Sequence, residues 1–396
     1  MLKQLFTQHR DEIDTVIDAS FEYHMADDDF LSTLYPIVEV RDWQYIIGLL
    51  EYDSPIAYVL GDDGEIPAAP QRLDFRQFAE SFARLGLSEP YDAKRIIQLI
   101  EMMSRLPEAS TLATLFFQPQ ARLINSVMSL RKLLAMQQIF NLNIDYEDPR
   151  TGVKVELNLR ELGDPSLFPA PLTGLSRWSQ ADTAQGLEDI DRLNGAYYDV
   201  NERYPDEWLL SRKQGLNLLR QQSTRSYIQD MAGTTVSAAA LQIIPTVAEQ
   251  SLTILNNILS VQTMNNGQAY PMIRMVDKTV RRQLSNNRSE RDRYRVVPDN
   301  AIAAVTRHEE PVITPTGSVT GAMGLSVFGP NLESAIAGLG AEDIDLSQIA
   351  SRMSTRPFVW GKNINDTGFA VNCVANCIPL PIEPKTYSSQ VIDGDI

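Results

Sequence analysis

The sequence predicts an α+β fold in which helices and antiparallel hairpins follow one another along the chain. A helical apolar stripe at 119–142 runs directly into a hairpin pattern at 143–160. A second hairpin pattern surrounds the turn signal Gly61–Gly64, and the segment 356–382 alternates as strands do. The chain has 396 residues, enough for two or three structural units and a large buried core.

Composition excludes several classes of protein. The 35 basic and 51 acidic residues give a net charge of −16, which argues against a protein whose main role is to bind phosphate backbones. Two cysteines are too few for a disulfide scaffold and fit a reducing compartment. With three histidines in the chain, histidine-rich metal sites and histidine-based catalysis are not expected.

No segment of the sequence predicts a membrane span or a secretion signal. The most apolar stretch, 237–261, is interrupted by Pro245 and contains Glu249, so it predicts a core segment. The N-terminal sequence MLKQLFTQHRDEID lacks the apolar run and the small-residue cleavage site of a signal peptide. We therefore expect a soluble protein that is made in a cytoplasm.

The N-terminal region predicts an amphipathic helix followed by a projecting hairpin. Apolar residues recur at helical spacing through 1–24, and this single stripe must be covered by the subunit's own body or by a neighbour. Strands are expected within 30–60, before the turn at Gly61–Gly64. The return arm, 65–82, is polar and contains prolines, so we expect the hairpin to project and to find its partners elsewhere.

Two helices are predicted after this hairpin. The first spans 91–105, after Pro90, and the second spans 119–142. The second helix would be about 36 Å long at about 1.5 Å per residue. Its single apolar stripe consists of Leu123, Val127, Leu130 and Leu134. The hairpin that follows is expected to turn at 148–152.

A crossing rich in proline and glycine at 161–180 predicts a domain boundary. A mixed helical and strand region follows over 181–345. Its helices are predicted near 181–194, 211–222 and 246–260. A strand pair within 270–305 flanks a charged tip at 281–292, and a glycine-rich return segment follows it.

A cluster of basic residues around the charged tip allows two interpretations. It comprises Lys278, Arg281, Arg282, Arg288, Arg291, Arg293 and Arg295. One interpretation is a phosphate-binding patch. The other is a hairpin tip that forms salt bridges with acidic neighbours, and the acidity of the chain favours this second interpretation.

Cys373 and Cys377 are four residues apart, a spacing that would let them share a metal ion on a helix. On a strand they would lie about 13 Å apart, which is too far for a disulfide bond. The alternation of apolar residues over 369–377 favours the strand. We therefore expect two buried structural thiols.

An acidic stretch resembles a calcium loop in composition. Its members are Asp189, Asp191, Asn194 and Gly195. The ligand spacing is wrong, because Val200 stands where the loop needs its last glutamate. A solvated helix face is the expected role.

Glycines and histidines predict no site either. The return segment lacks the dinucleotide-binding spacing at its glycines, which are Gly317, Gly321, Gly324 and Gly329. The histidines lie outside any metalloprotease or hydrolase motif, and they are His9, His24 and His308. The sequence therefore predicts no catalytic, cofactor-binding or metal-binding residue, no cofactor and no enzymatic activity.

Four segments carry a resemblance to a known family. The helix 119–142 runs through MSLRKLLAMQQIF into the strand VKVELNLR, and Trp178 precedes an acidic helix start at 182–191. The sequence VPDN at 297–300 precedes an apolar strand, and RPFVW at 356–360 leads to a strand that ends in PLP. In this order and spacing, the chain resembles the major capsid protein E family of tailed phages, the lambda-like branch, over 46–396.

The resemblance implies the HK97-type capsid fold. Its implied parts, in chain order, are an N-terminal arm (1–45), an E-loop region (46–90), a peripheral or P domain (91–175) with spine helix 119–142, an inserted axial or A domain (176–350), and C-terminal strands that return to the P domain (351–396). The sequence departs from the family through the extra helix at 91–105 and an unusually helical arm.

The resemblance also implies a function, that of a major capsid protein. Such a chain self-assembles into hexamers and pentamers of an icosahedral shell that encloses a double-stranded DNA genome. Its implied partners are itself, with scaffolding, portal and decoration proteins, while DNA is enclosed without sequence-specific binding and no membrane is involved. It would be located in the virion after assembly in the host cytoplasm.

Some relatives lock their subunits together with a lysine–asparagine bond. No lysine lies between Lys3 and Lys94, so we expect no such cross-link through the E-loop. Two alternatives remain open. An encapsulin-type bacterial compartment would have the same fold but hold cargo enzymes. A soluble hydrolase would need two carboxylates that converge in a deep pocket with raised pKa values.

Overall fold

The structure of the chain is a computed structural model. It describes residues 10–25, 29–40, 45–50, 73–78, 82–91, 94, 101, 109–149, 152–232, 248–264, 267–283, 291–314, 317–331, 334, 354–363 and 369–394. These residues confirm the predicted α+β class, because helices and mainly antiparallel strands share one core. No helix within these ranges is long and apolar enough to cross a membrane.

The described helices and strands are as follows. The helices are α1 (Arg10–Met25), α2 (Phe30–Leu34), α3 (Ala109–Asn141), α4 (Gly186–Asn201), α5 (Arg212–Arg220), α6 (Gln222–Ala232) and α7 (Ala248–Ser260). The strands are β1 (Ile37–Glu39), β2 (Tyr45–Leu50), β3 (Leu73–Phe78), β4 (Ala83–Tyr91), β5 (Asn143–Glu147), β6 (Lys154–Asn158), β7 (Glu207–Ser211), β8 (Met272–Val276), β9 (Thr279–Gln283), β10 (Arg291–Arg295), β11 (Ala301–Val305), β12 (Val312–Thr314), β13 (Gly317–Val319), β14 (Gly324–Gly329), β15 (Phe358–Asn363), β16 (Phe369–Pro381) and β17 (Ser389–Val391).

The spine helix, α3, is longer than predicted. It has 33 residues and is about 50 Å long, because it begins at Ala109 and not at Pro119. A proline inside a helix removes one backbone hydrogen bond and crowds the carbonyl four residues earlier, yet here the helix continues on both sides of Pro119. The predicted hairpin is confirmed, since β5 and β6 pair antiparallel and Gly152 turns with a positive φ of 65°.

The C-terminal half of the spine helix is buried on more than the one predicted stripe. Its buried apolar residues include Leu123, Ile124, Val127, Met128, Leu133, Leu134, Met136, Ile139 and Phe140. The arm helix α1 and the long strand β16 both pack against it. The buried guanidinium of Arg131 donates to the carbonyl of Tyr35 and to the hydroxyl of Ser326, both at 3.2 Å. The spine helix therefore holds together segments that are distant in sequence.

A five-stranded sheet covers the spine helix, and β16 is its centre. Strands β15 and β14 lie along one side of β16, with β1 next to β14, and β4 lies along the other side. Strand β4 was not predicted. Pro90, expected to precede a helix, pairs with Ala370, and Tyr91 ends the strand. Of the predicted helix 91–105, only residues 94 and 101 beyond Tyr91 are described, and both are helical.

A four-stranded sheet forms a second layer, in the order β17, β11, β7, β8. The predicted hairpin around 281–292 is confirmed by the pairing of β9 with β10. The outer parts of the predicted strand pair do not meet, because the unpredicted strand β7 lies between β8 and β11. The helices predicted near 181–194, 211–222 and 246–260 correspond to α4, α5 and α7, and α6 was not expected.

The two sheets exchange segments of chain. Strand β14 pairs in the five-stranded sheet although it falls within the range 176–350 of the expected A domain. Strand β17 pairs in the four-stranded sheet although it falls within the C-terminal range 351–396. The buried hydroxyls of Tyr35 and Tyr387 lie 2.6 Å apart and further connect the two layers. Sheet membership therefore crosses the expected boundaries.

The predicted N-terminal hairpin is present as a separate pair of strands. Strands β2 and β3 pair antiparallel from Tyr45 with Phe78 to Leu50 with Leu73. Within the described ranges, this pair forms a sheet of its own. The predicted turn at Gly61–Gly64 lies outside the described residues.

Close packing explains why a glycine stands at Gly324. A Cβ atom added there would lie 2.3 Å from the ring of Tyr35 and 2.6 Å from the carbonyl oxygen of Leu380. Both neighbours are buried, so neither can move without cost. Gly324 belongs to the set of glycines whose spacing does not fit a nucleotide site. Core packing explains why this position is a glycine.

We predict that Gly324→Ala destabilises the fold by about 1–3 kcal/mol, because the added methyl overpacks the core. Gly195→Ala is the matched control, since Gly195 lies exposed in α4 and its added Cβ meets nothing within 4 Å. That control should stabilise the fold by up to about 1 kcal/mol. Urea unfolding measures both variants, and equal effects of the two would contradict the packing argument.

Candidate functional site

Three ionic joints connect the N-terminal arm, the spine helix and the two sheets. The first centres on Arg356, whose guanidinium lies 3.1 Å from Asp18, 3.3 Å from Glu22 and 3.4 Å from Glu39. Asp18 and Glu22 are one turn apart on α1, so one guanidinium can bind both. The same group lies 5.5 Å from the ring centroid of Phe21. This joint ties the arm helix to the sheet.

The apolar face of the arm helix is covered by the subunit's own body. Ile17 and Phe21 are buried, and the ring of Phe21 meets that of Phe328 edge-on at 5.4 Å. Of the two possibilities that the sequence left open, the first therefore applies to the described part of the arm. On the outer face, Tyr23 remains 70% exposed.

The second joint centres on Asp29, between the arm and the spine helix. Its carboxylate accepts hydrogen bonds from Lys132 of the spine helix, at 2.9 Å, and from Lys278 beyond β8. Burial alone would raise the pKa of Asp29, but the two ammonium groups outweigh it and lower the pKa below its ordinary value. Beside it, the guanidinium of Arg274 lies 4.6 Å from the ring centroid of Phe30.

The third joint lies within the four-stranded sheet. Glu207, which is 5% exposed, accepts hydrogen bonds from Arg307, at 2.5 Å, and from Arg274. Burial would raise the pKa of Glu207, but the two guanidinium groups reverse this and lower it. Because Arg274 also packs on Phe30, the second and third joints are continuous.

The described part of the basic cluster agrees with the salt-bridge interpretation. Lys278 binds Asp29, and Arg295 lies 3.5 Å from Asp277 and 3.2 Å from Asp299. Arg293 is exposed. The side chains of the other members, Arg281, Arg282, Arg288 and Arg291, lie outside the described part of the structure.

The two cysteines are buried on a strand, as predicted. Both Cys373 and Cys377 belong to β16 and are free thiols. Burial raises the pKa of each thiol to about 12, so both stay protonated at neutral pH. A protonated buried thiol is a poor nucleophile and a poor metal ligand, which fits a structural role.

The residues with the composition of a calcium loop have another role. Within α4, Asp189 accepts a hydrogen bond from the indole of Trp178 at 3.0 Å, and buried Asn194 accepts one from the indole of Trp208 at 2.8 Å. Asp191 accepts one from the hydroxyl of Tyr270 at 2.6 Å. The expected solvated face is confirmed for Asp191 and Gly195, which are exposed, and is wrong for Asn194, which is buried. The three polar side chains also satisfy aromatic donors that burial would otherwise leave unpaired.

The return-segment glycines and the described histidine have backbone roles. Gly317 and Gly321 have positive φ angles of 139° and 71° beside β13. The backbone of His308 exchanges hydrogen bonds with Ala322 and Gly321, which closes the hairpin of β12 and β13. His9 and the side chain of His24 lie outside the described residues. Where the structure describes the chain, no group of three metal-ligating side chains occurs.

Several large apolar side chains are exposed on the described surface. They are Tyr23, Val153, Leu175, Met231, Ile254, Val261, Met272 and Ile313. Val153 follows the turn of the β5–β6 hairpin, and Ile313, which is 88% exposed, lies on the small β12–β13 hairpin. Exposed apolar side chains that stand singly are common on protein surfaces, so these groups by themselves indicate no partner.

Comparison with known proteins gives structural likenesses alone. No family model matches the sequence, and no curated protein matches it. A phage-related protein from Bordetella bronchiseptica RB50 is similar over 95% of each chain, with 10% identity and a TM-score of 0.46. A candidate prophage capsid protein from Escherichia coli CFT073 is similar over 95% of this chain and 98% of its own, with 12% identity and a TM-score of 0.49. The procapsid of satellite phage P4 is similar over 96% of this chain and 99% of its own, with 10% identity and a TM-score of 0.41.

We predict that Arg356→Ala loosens the arm helix. Loss of three partly exposed ion pairs should lower hydrogen-exchange protection of 10–25 by about tenfold, which corresponds to roughly 1.4 kcal/mol. Arg122→Ala is the control, because Arg122 is exposed on the spine helix. Exchange followed by mass spectrometry measures both. Unchanged protection in the Arg356 variant would mean that apolar packing alone holds the arm.

We predict that Glu207→Gln flattens the dependence of stability on pH. Since the folded-state pKa of Glu207 is lowered, its ionised form stabilises the fold above the unfolded-state pKa, about 4.3. This contribution is lost as the pH falls through the folded-state pKa. The variant should be about 2 kcal/mol less stable at pH 7 and should approach the wild type at acid pH.

Urea unfolding between pH 7 and pH 3 tests this prediction. Glu156→Gln serves as the control, because the Glu156 carboxylate is exposed and lies 3.7 Å from its lysine partner. The control should follow the wild type at every pH. A constant offset between wild type and Glu207→Gln across the range would contradict the prediction.

Proposed function

We propose that this chain is the major capsid protein of a tailed bacteriophage. In this proposal it self-assembles into hexamers and pentamers of an icosahedral shell that encloses a double-stranded DNA genome. The observation that carries the proposal is the order of elements. A helical arm, a separate hairpin, a 33-residue spine helix that feeds a second hairpin, an inserted sheet with helices, and a returning strand follow in the order that the sequence resemblance implies.

The separate hairpin supports a role in assembly. An isolated two-stranded hairpin is marginally stable in water, because it buries little apolar surface. The β2–β3 pair forms no ladder with other described strands, so a neighbouring subunit is a natural source of additional burial. Permanent subunit interfaces commonly bury more than about 2,000 Å², and projecting hairpins add such area efficiently.

The ionic joints support a rigid wall unit. Arg356, Asp29 and Glu207 tie the arm helix, the spine helix and both sheets into one body. A shell subunit needs such a body so that contacts at one edge keep a fixed geometry relative to contacts at another. In this proposal the arm helix α1 belongs to the body of its own subunit, because its buried residues Ile17 and Phe21 pack there.

The proposal extends to domains, partners and location. The body of the shell wall would be the P domain, with the spine helix and the five-stranded sheet, and the A domain with the four-stranded sheet would gather at the capsomer axes. Its partners would be further copies of the chain, with scaffolding, portal and decoration proteins. The chain would act without enzymatic activity in the virion, after assembly in the host cytoplasm.

The net charge supports a shell that holds DNA without binding its sequence. A chain of net charge −16 repels phosphate backbones, so an acidic inner wall would leave packaged DNA free to be released.

The pKa values of the carboxyl groups bear on the hydrolase alternative. Where the structure describes carboxyl groups with a shifted pKa, those of Asp29, Asp164 and Glu207 are all lowered, whereas a general acid needs a raised pKa.

Electron microscopy of the purified full chain tests the proposal. The chain is expressed alone and together with the genes that precede it, and particles are viewed in negative stain. Closed shells, capsomers or tubes are the expected result. Small monodisperse particles under both conditions would contradict a shell-forming role. Shells that contain cargo enzymes and no DNA in the native host would favour the encapsulin alternative.

A further inference from the structure

Strand β8 lies at an edge of the four-stranded sheet and has a composition that favours pairing with further strands. Among the described strands, only β7 pairs with it. Its sequence, MIRMV, contains four apolar residues and one arginine. The charge of that arginine, Arg274, is paired with the buried carboxylate of Glu207. An apolar edge strand whose only charge is paired is an aggregation hazard unless its outer backbone groups are covered.

The hydrogen bonds of β8 show which of its residues face outward. The N–H of Met272 donates to the carbonyl oxygen of Asp206 at 3.1 Å, so the backbone groups of Met272 point toward β7. Successive residues of a strand direct their N–H and C=O groups to opposite sides. The outward positions are therefore Ile273 and Met275, together with Pro271 just ahead of the strand.

Both outward groups of Ile273 are bound by a single side chain. The carboxamide of Asn256, in α7, donates from Nδ2 to the carbonyl oxygen of Ile273 at 2.8 Å. The same carboxamide accepts from the N–H of Ile273 through Oδ1 at 2.9 Å. A residue of an antiparallel neighbouring strand would exchange the same two hydrogen bonds. Asn256 thus takes the place of a neighbouring strand, because a carboxamide carries a donor and an acceptor side by side.

Packing anchors α7 beside the strand, and a proline covers the adjacent outward position. The buried apolar residues of α7 include Leu252, Leu255 and Leu259. They hold the helix so that Asn256, on the next turn position, stays against β8. Pro271 has no N–H and therefore offers no donor to an incoming strand. Of the three outward positions, only Met275 can still supply an N–H.

We propose that Asn256 and Pro271 together prevent β8 from pairing with a strand of a second copy of this chain. Pairing between strand edges does not close on itself, so it produces open-ended aggregates and not closed particles. The inference concerns the folded chain and does not depend on the proposed shell. In a chain that also self-assembles, this device would confine association to other surfaces.

Hydrogen exchange of the Ile273 amide in the full chain tests the contact. Asn256→Ala should increase the exchange rate of this amide by at least about tenfold, because the amide loses its acceptor. Asn257→Ala is the matched control, since Asn257 is the next residue of α7 and is exposed. The control should leave the Ile273 amide unchanged. Equal protection of this amide in both variants would overturn the proposal.

Aggregation of the folded chain tests the consequence. Asn256→Ala should form thioflavin-binding aggregates about five to ten times faster than the wild type, the population change expected for one or two lost hydrogen bonds. Gly324→Ala is a second control, because its added methyl perturbs the five-stranded sheet and not β8. Equally fast aggregation of both variants would identify reduced stability as the cause and overturn the proposal.

Two further variants test each residue separately. In Asn256→Asp the carboxylate still accepts from the Ile273 N–H, and a charge at a strand edge itself opposes pairing. This variant should aggregate no faster than the wild type, and aggregation as fast as that of Asn256→Ala would contradict the proposal. Pro271→Ala restores an outward N–H and should speed the aggregation of Asn256→Ala further. An unchanged rate would overturn the role assigned to Pro271.

Electron microscopy of the same samples separates this inference from the proposed function. Closed shells are counted apart from irregular or fibrous aggregates. A wild type that forms no shells under any condition would contradict the proposed function alone. A folded Asn256→Ala chain that exposes the Ile273 amide and aggregates no faster than the wild type would contradict this inference alone.

Discussion

The burial of the spine helix is the constraint on which the rest of the structure depends. From Leu123 to Phe140 the helix is apolar on several faces, and each fully buried large side chain contributes about 1.5–3 kcal/mol when it is covered. One layer cannot cover such a helix, so the arm helix packs on one side and β16 on another. Strand β16 in turn sets the positions of β4, β14 and β15 through its three ladders.

The ionic joints connect the buried spine helix to the arm and to the second sheet. Asp29 couples the spine helix to the segment beyond β8, and Arg274 continues the connection to Glu207 inside the second sheet. Because the joints are partly buried and paired, removing one partner costs more than removing an exposed ion pair. The result is a body in which the arm helix, the spine helix and both sheets are connected, while the β2–β3 hairpin forms no ladder with the other described strands. A shell subunit requires this division between rigid body and projecting contact elements.

The periodicity of apolar residues predicted most of the helices and hairpins from the sequence. It failed for the elements whose structure is determined by tertiary contacts. The spine helix, the β5–β6 hairpin and the strand of Cys373 follow from local patterns. Strand β7 was missed because its five residues are all buried and show no alternation, and β4 because Pro90 suggested a helix start. The joints have no motif, since the partners of Arg356 lie more than 300 residues away in sequence. Glu207 beside the apolar run Trp208–Leu210 was the one available signal, because a carboxylate there needs a partner.

The central claim is that the body is complete in one subunit and that the hairpin becomes buried in the assembly. Hydrogen exchange compared between isolated subunits and assembled particles tests this directly. The account predicts that β2 and β3, Tyr45–Leu50 and Leu73–Phe78, gain strong protection on assembly. It also predicts that the spine helix from Leu123 to Phe140 is already protected in the isolated subunit and changes little. A hairpin that exchanges equally fast in both states, or a spine helix protected only in the assembly, would contradict the account.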